Sequence, residues 1–416
     1  MNDQRWRRWR WFRAFSPAIW AVVFAVLGTL PIAPHRLGCW AFSTSQAHTP
    51  ERQPAAGTAV IRYAKGFTLE YHDGYKVLQV LTPWRDARVT FTYILVPRGR
   101  KVPDVPPRAM VVETPVHRMA AATTGCIPFL PLLHVEEALV GFSGCKHLST
   151  PEIAEMVRQK KITEIGIGEG GMAITLNMEQ LYVLQPEMVV VYGTGLPEYD
   201  LHPKLMEAGF KTVIFSSYME TVPLGRTEWI KFIAAFFDKE AEAEKLFNEI
   251  ARQYETEAAR VSNPAHRPTV FSAIPYRGMM YVPGGGSYTA GFVRDAGADY
   301  MWRDDTSLGA MPLNVENIIE RAREADIWLE PGACRSLSEL EGVDERFSVF
   351  KAFRTGRVYN NDAKLGPNGG NDFWETGEVR PDLVLKDLIS IFHPDLLPSY
   401  QRIWYRQLPA HDEGAK

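Results

Sequence analysis

GRTEWIKFIAAFFDKEAEAEKLFNEIARQYETEAARV, residues 225–261, runs for its whole length without a proline and is rich in Ala, Glu, Lys and Arg. Ala241, Ala243, Leu246, Phe247, Ile250, Ala251 and Tyr254 recur close to the 3.6-residue period of a helix. Asp238-Lys239 interrupts the pattern, so the stretch predicts two helices, the second long. What it joins depends on what lies on either side.

Upstream, short apolar runs alternate with helical patterns. IPFLPLLHV and ALVGFSG are followed by NMEQLYVLQ, MVVVYG, HPKLMEAGF and TVIFSS. Downstream the alternation restarts with PTVFSAIP as a strand, RGMMYVPGGGSY as a hairpin or loop and AGFVRDAGA as a helix. ADIWLE and RVYNN then read as strands and VRPDLVLKDLISIFH as a closing helix. Strand and helix in alternation imply βα units on a parallel sheet. The chain is therefore an α/β protein of two Rossmann-like lobes, residues 111–224 and 263–416, joined stiffly by the helical segment 225–262.

Residues 48–110 are of another kind. FTLEYH and YKVLQVL flank Asp73-Gly74, a dipeptide suited to the two positive-φ positions of a type I′ hairpin turn. With VTFTYILVP they predict a small antiparallel extension, and the proline-rich PRGRKVPDVPPR reads as its exit linker. Ahead of it, Arg5, Arg7, Arg8, Arg10 and Arg13 precede the apolar run PAIWAVVFAVLGTLPIA, and STSQA follows later. That order is an export signal, with cleavage after Ala47 satisfying the small-residue rule, or a retained membrane anchor. Leu37-Gly38-Cys39 resembles a lipoprotein cleavage box, although Arg36 stands where an apolar residue is wanted, which ranks lipidation below simple cleavage.

At 416 residues, 46% apolar and 23% charged, the chain can bury more than one core. Residues 1–47 hold six Arg and one Asp, which leaves 40 basic and 48 acidic side chains and a formal charge of −8 on the rest. Nucleic acid is excluded as a partner, because phosphate neutralisation needs basic stripes. In an oxidising compartment Cys126 and Cys145, each following a predicted strand in neighbouring units, are the candidate disulfide pair. Two buried free thiols are the alternative.

The phrase LNMEQL at 176–181 is echoed by LNVENI at 313–318. Asn177 and Asn314 suit helix N-caps, and Glu179 and Glu316 then stand in the first turn, where a negative charge complements the helix dipole. Helix initiation accounts for the spelling, and the two phrases fall one in each lobe.

Together these features resemble the helix-linked (class III) periplasmic substrate-binding proteins that serve ABC importers of ferric siderophores and cobalamin. The resemblance spans roughly residues 112–395. It is strongest in VETPVHRMAAATTGCIPFLPLLHVEEALVGFSG, similar to that family's opening strand, helix and second strand. LNMEQLYVLQPEMVVVYG, PLNVENI and NDFWETGEVRP follow in the family's order. The resemblance implies that Glu179 and Glu316 dock on basic pockets of an inner-membrane ABC permease, both exposed, one on each lobe. It further implies a periplasmic monomer that captures a metal chelate or corrinoid, with no cofactor and no catalysis of its own.

Ligands of open α/β sheets bind beyond the carboxyl ends of the strands, so two facing lobes make one cleft. From the first lobe this nominates Thr123, Thr124, Lys146, His147, Gly170, Gly171 and Tyr192. From the second it nominates Tyr276, Arg277, Tyr281, Tyr288, Asn371, Phe373 and Trp374. Flat aromatic faces with a few charges suit a planar or catecholate chelate, and Arg277 an anionic one. Taken singly, each of these residues also has an ordinary structural explanation.

Two rival readings are weaker. GFSGC at 141–145 approaches a nucleophile elbow, but Cys145 replaces its last glycine. His134, His147 and His202 with Glu136 or Asp200 would serve a free metal ion, yet they lack the spacing of a zinc site. The long helix predicts a small closing motion.

Overall fold

The structure, a computed structural model, describes residues 59–167 and 175–411. The expected signal or anchor at 1–47, together with Gly170 and Gly171, lies outside the described residues.

The N-terminal sheet has the order β1 (Phe67–His72), β2 (Tyr75–Val80), β3 (Phe91–Pro97) and β4 (Met110–Thr114). The β1–β2 hairpin turns at Asp73-Gly74 as expected, but only Gly74 takes a positive φ, 82°, so the turn is not type I′. The exit-linker reading of residues 97–108 also needs correction. The proline-rich stretch loops back, and Met110–Thr114 joins the sheet parallel to β3. VVET therefore closes the extension instead of opening the first lobe.

One helix explains why this sheet stays attached. Ile230–Phe237 is buried on every side, as a helix with no polar face must be. Phe67 packs on Trp229 and Phe232 with ring centroids 4.9 and 5.5 Å apart. Tyr93 meets Phe236 at 6.0 Å and accepts a hydrogen bond on its hydroxyl from Ile214 N. Buried acids pin the segment that leads into β1. Glu228 accepts from the amides of Arg62, Tyr63 and Ala64 and pairs with Lys231, neither side chain being exposed at all. Glu220 accepts from the amides of Lys65 and Gly66.

The first lobe's sheet uses β5 (Met119–Ala121), β6 (Leu139–Phe142), β7 (Thr163–Glu164), β10 (Met188–Val191) and β11 (Thr212–Ile214). Its order is β11-β10-β5-β6-β7, parallel throughout. A short ribbon of β8 (Gly166–Ile167) with β9 (Thr175–Leu176) stands beside it. The chain then breaks at Asp238, which takes φ 54°, and runs through the helix Glu240–Arg260.

In the second lobe β12 (Thr269–Ser272), β15 (Asp299–Tyr300), β17 (Ile327–Leu329) and β18 (Val358–Asn360) form a parallel sheet in the order β15-β12-β17-β18. The last two-residue strand, β19 (Arg406–Gln407), is added antiparallel to β18. A separate antiparallel sheet of β13 (Ile274–Tyr276), β14 (Met279–Pro283) and β16 (Ala310–Leu313) grows from the carboxyl end of β12. The closing helix Pro381–Phe392 lies on the long linker helix, with Lys386 Nζ 3.5 Å from Glu257. Two lobes bridged by a helix, with an added β extension, is the architecture.

Candidate functional site

The carboxyl ends of the first lobe's strands run into tight polar turns. After β5, Thr123 caps a short 3-10 turn and accepts from Gly125 N at 3.3 Å, which leaves Thr123 and Thr124 half-buried. After β6, Glu164 accepts from the amides of Gly144, Cys145 and Gly166 and so shapes the loop bearing exposed Lys146 and half-buried His147. Burial, then Lys146, hold the His147 imidazole below its ordinary pKa.

After β10, Asp200 takes the turning load. It accepts from Thr194 N at 2.6 Å, Thr194 Oγ1 at 2.8 Å and Gly195 N at 3.0 Å. Tyr192 is half-buried there, its phenol raised by burial and by Asp200. Beyond β11, Tyr218 donates to Gly193 O at 2.5 Å and is raised in the same way. These phenols stay protonated donors at neutral pH.

In the second lobe, Arg277 and Gly278 form the positive-φ turn of the β13–β14 hairpin, with φ 51° and 79°. Arg277 lies over the Tyr276 ring at 5.1 Å, and Tyr276 and Tyr281 sit 6.2 Å apart. This hairpin presents two half-buried tyrosines and an exposed guanidinium.

At the carboxyl edges the lobes meet through a loop of the second. Glu375, only 3% exposed, accepts from Ser149 N at 3.0 Å, Thr150 N at 2.8 Å and Thr150 Oγ1 at 2.6 Å. Beside it Gly370 packs so tightly on His147 O that a Cβ would stand 2.0 Å from that oxygen. A loop beyond β18 in the second lobe therefore seats on the loop beyond β6 in the first. Asn371, whose Nδ2 donates to Asn361 Oδ1 at 3.1 Å, and half-buried Trp374 belong to that seat.

Two of the nominated ligand contacts are corrected by burial. Tyr288 is 5% exposed, with the Arg226 guanidinium 3.8 Å from its ring centroid. Phe373 is 2% exposed between Trp374 and Tyr405. Neither has surface left for a ligand. The Cys126–Cys145 bridge is not formed either: both are buried free thiols, donating to Thr123 O and Phe142 O within their own turns.

Glu375 was not singled out from sequence, although it stands in the Trp-bearing loop that was. Trp84 was missed as well. It lies in the β2–β3 turn of the extension, yet packs on Gly193 and Gly195 at the end of β10, where a Cβ would stand 2.5 and 2.6 Å from the indole. Its ring stacks on His202 at 5.3 Å. Burial keeps His202 below its ordinary pKa against the pull of Asp200. The signal was an aromatic and a cation in a loop, TPWRD, that needed neither for turning.

Ser143 Oγ packs against Gly166, where a Cβ would stand 2.6 Å from it, and burial with Glu164 pushes the Cys145 thiol up to about 12. His134, His147 and His202 are not gathered: among the described residues no three His, Cys, Asp or Glu side chains are placed to hold a metal ion.

The echoed phrases fold as paired helix starts. Asn177 Oδ1 accepts from Gln180 N at 3.0 Å, and Asn314 Oδ1 from Asn317 N at 2.9 Å. Glu179 and Glu316 are both exposed, on helices Met178–Leu184 and Val315–Ala322, and Glu316 pairs with exposed Arg346. The groove of about 570 Å³ lined by Trp302, Leu313, Asn317 and Arg321 adjoins this second helix and not the cleft.

Polar and aromatic side chains at the carboxyl edges of two α/β sheets suit the binding of a solute. Residues 120–365, more than half of the chain, match the family model described as periplasmic binding protein, and the chain belongs to that family. Its members are substrate-binding transport proteins. An uncharacterized lipoprotein of Methanocaldococcus jannaschii is 26% identical over 360 residues, 81% of this chain and 83% of its own. Two solved structures share the fold. A possible iron-binding (periplasmic solute-binding) protein from Staphylococcus epidermidis has TM-score 0.52 and 19% identity over 67% of this chain and 100% of its own. A periplasmic heme binding protein from Pseudomonas aeruginosa has TM-score 0.52 and 17% identity over 71% of this chain and 99% of its own. Among the described residues no helix is long and apolar enough to cross a membrane.

Proposed function

We propose that this protein captures a metal chelate of the ferric siderophore, haem or corrinoid kind between its lobes and delivers it, as a monomer, to an ABC permease. The observation that carries the reading is the meeting of carboxyl-edge loops from both sheets, with Glu375 seated on Ser149 and Thr150. On this reading Thr124, Lys146, His147 and Tyr192 of the first lobe and Tyr276, Arg277, Tyr281 and Trp374 of the second, all exposed or half-buried, are the proposed ligand contacts. Iron and heme in the descriptions of the two solved structures support a chelate as the ligand class.

Glu179 and Glu316 are proposed as the permease-docking pair. Exposed carboxylates at a fixed separation supply orientation and a salt-sensitive on-rate more than affinity. For the N-terminus, the lipoprotein relative supports a form anchored through Cys39 beside the cleaved one. Tryptophan-quenching titration and native mass spectrometry with a ferric siderophore, haem and cobalamin test the ligand class. Saturable binding of one of them is expected. Binding of none, with tight binding of a free metal ion, would overturn the reading in favour of an ion-binding protein.

A further inference from the structure

The extension does more at the cleft than cover the first lobe's flank. Its β2–β3 turn enters the carboxyl edge of the first sheet and is fixed there at three points. Pro83 is buried and its carbonyl accepts from Ser216 Oγ at 2.8 Å. Trp84 fills the space left by two glycines, Gly193 and Gly195, and stacks on His202. Phe91, from the start of β3, closes on the same indole at 6.0 Å.

The next residue is Arg85. It is exposed, and among the described residues it makes no hydrogen bond and no ion pair. Its guanidinium reaches the second lobe at Gly309, where a Cβ would stand 2.1 Å from Nη2. Gly309 leads directly into β16, which pairs with the strand carrying Tyr281. The charge of Arg85 works against the burial and the Asp200 charge that raise the Tyr218 phenol, which donates to Gly193 O. A cation of the extension is therefore placed against the tyrosine-bearing sheet of the second lobe.

The guanidinium of Arg85 is packed against Gly309 of the second lobe and so gives up rotamer freedom. Fixing its backbone by a buried Pro, a wedged Trp and two glycines is a costly way to place a surface side chain. Placement makes sense for a planar fork that receives oxygens from outside the chain.

We propose that the extension forms a third wall of the ligand site and that Arg85 binds anionic oxygens, carboxylate or phenolate, of the captured ligand. This rests on the interlobe cleft being the ligand site. It makes the extension a determinant of which chelates are taken, with neutral ones disfavoured against anionic ones.

The test uses the naturally processed chain and three probes: haem with its propionates, an anionic ferric catecholate and a neutral ferric trihydroxamate. Arg85→Ala, Arg85→Lys and Tyr281→Ala are compared with the unmodified chain by tryptophan quenching, with thermal unfolding as a check on the fold. Arg85→Ala is expected to weaken an anionic probe roughly ten- to a hundredfold, the range for losing hydrogen bonds to a charged group. The neutral probe should change less than about threefold, with unfolding unmoved and Arg85→Lys recovering part of the loss. If Tyr281→Ala weakens binding while Arg85→Ala does not, the proposal fails and the cleft reading stands. If neither has an effect, both fail. An unmodified chain that binds only the neutral probe overturns the proposal too.

Discussion

Replacing Glu375 by alanine should cost far more than its single side chain suggests. The carboxylate is almost fully enclosed and receives three hydrogen bonds from Ser149 and Thr150 across the lobe boundary. Truncation strands two amides and a hydroxyl in a space water does not reach, at about 1–3 kcal/mol for each unsatisfied group. Partial relaxation brings the expected loss to roughly 3–5 kcal/mol. Glutamine keeps one acceptor oxygen, so Glu375→Gln should lose only about 1–2 kcal/mol.

The pH dependence gives a second handle. Burial raises the Glu375 carboxyl above its ordinary value, against the lowering effect of the Thr150 and Ser149 hydrogen bonds. A carboxyl raised in the folded state favours folding fully below its unfolded pKa and loses that contribution as pH rises through the folded one. The advantage of the unmodified chain over Glu375→Gln should therefore be larger at pH 5 than at pH 7. Urea unfolding at both values measures it, with hydrogen exchange at the Ser149 and Thr150 amides as the local readout. A Glu375→Ala loss below about 1 kcal/mol, less than even one stranded group costs, or faster exchange nowhere near residues 149–150, would refute the latch.

Other outcomes follow from the same kind of reasoning. Glu228→Ala leaves Lys231 buried with one acid fewer and frees the amides of residues 62–64. It should lose about 3–5 kcal/mol, and limited proteolysis should cut ahead of β1. Glu179→Ala with Glu316→Ala should leave ligand titrations unchanged and abolish uptake in a reconstituted transporter. Since both carboxylates are exposed, unfolding should shift by less than about 1 kcal/mol. Cys126, Cys145 and Cys334 should resist a thiol reagent in the native chain and all react after unfolding without reductant, because burial pushes each thiol up to about 12. Mass spectrometry showing any two of them bridged would contradict this.

What was readable beforehand was what the chain decides locally. The proline-free run at 225–261 and the alternation around it needed only periodicity, and Asn177 and Asn314 cap amides three residues away. What was not readable depends on partners far along the chain. Tyr288 and Phe373 look like binding aromatics until Arg226 and Tyr405 cover them. Met110–Thr114 reads equally well as a lobe's first strand or an extension's last. The two-residue β19 and the reach of Trp84 to Gly193 leave no periodic trace at all.

The way Glu220 and Glu228 are used has a consequence for engineering. Both acids stand at the approach to the linker, yet they accept from amides of residues 62–66. Lys76 from β2 likewise reaches Asp238 and Glu240, at the break that starts the long helix. A fragment cut to the family's common boundaries would inherit these acids without their donors and expose the apolar side of Ile230–Phe237 to water. Lobe swaps between this chain and shorter relatives should therefore yield insoluble chimeras unless residues 59–115 travel with the linker. The smallest transplantable cassette is not a lobe but the extension and the helix together.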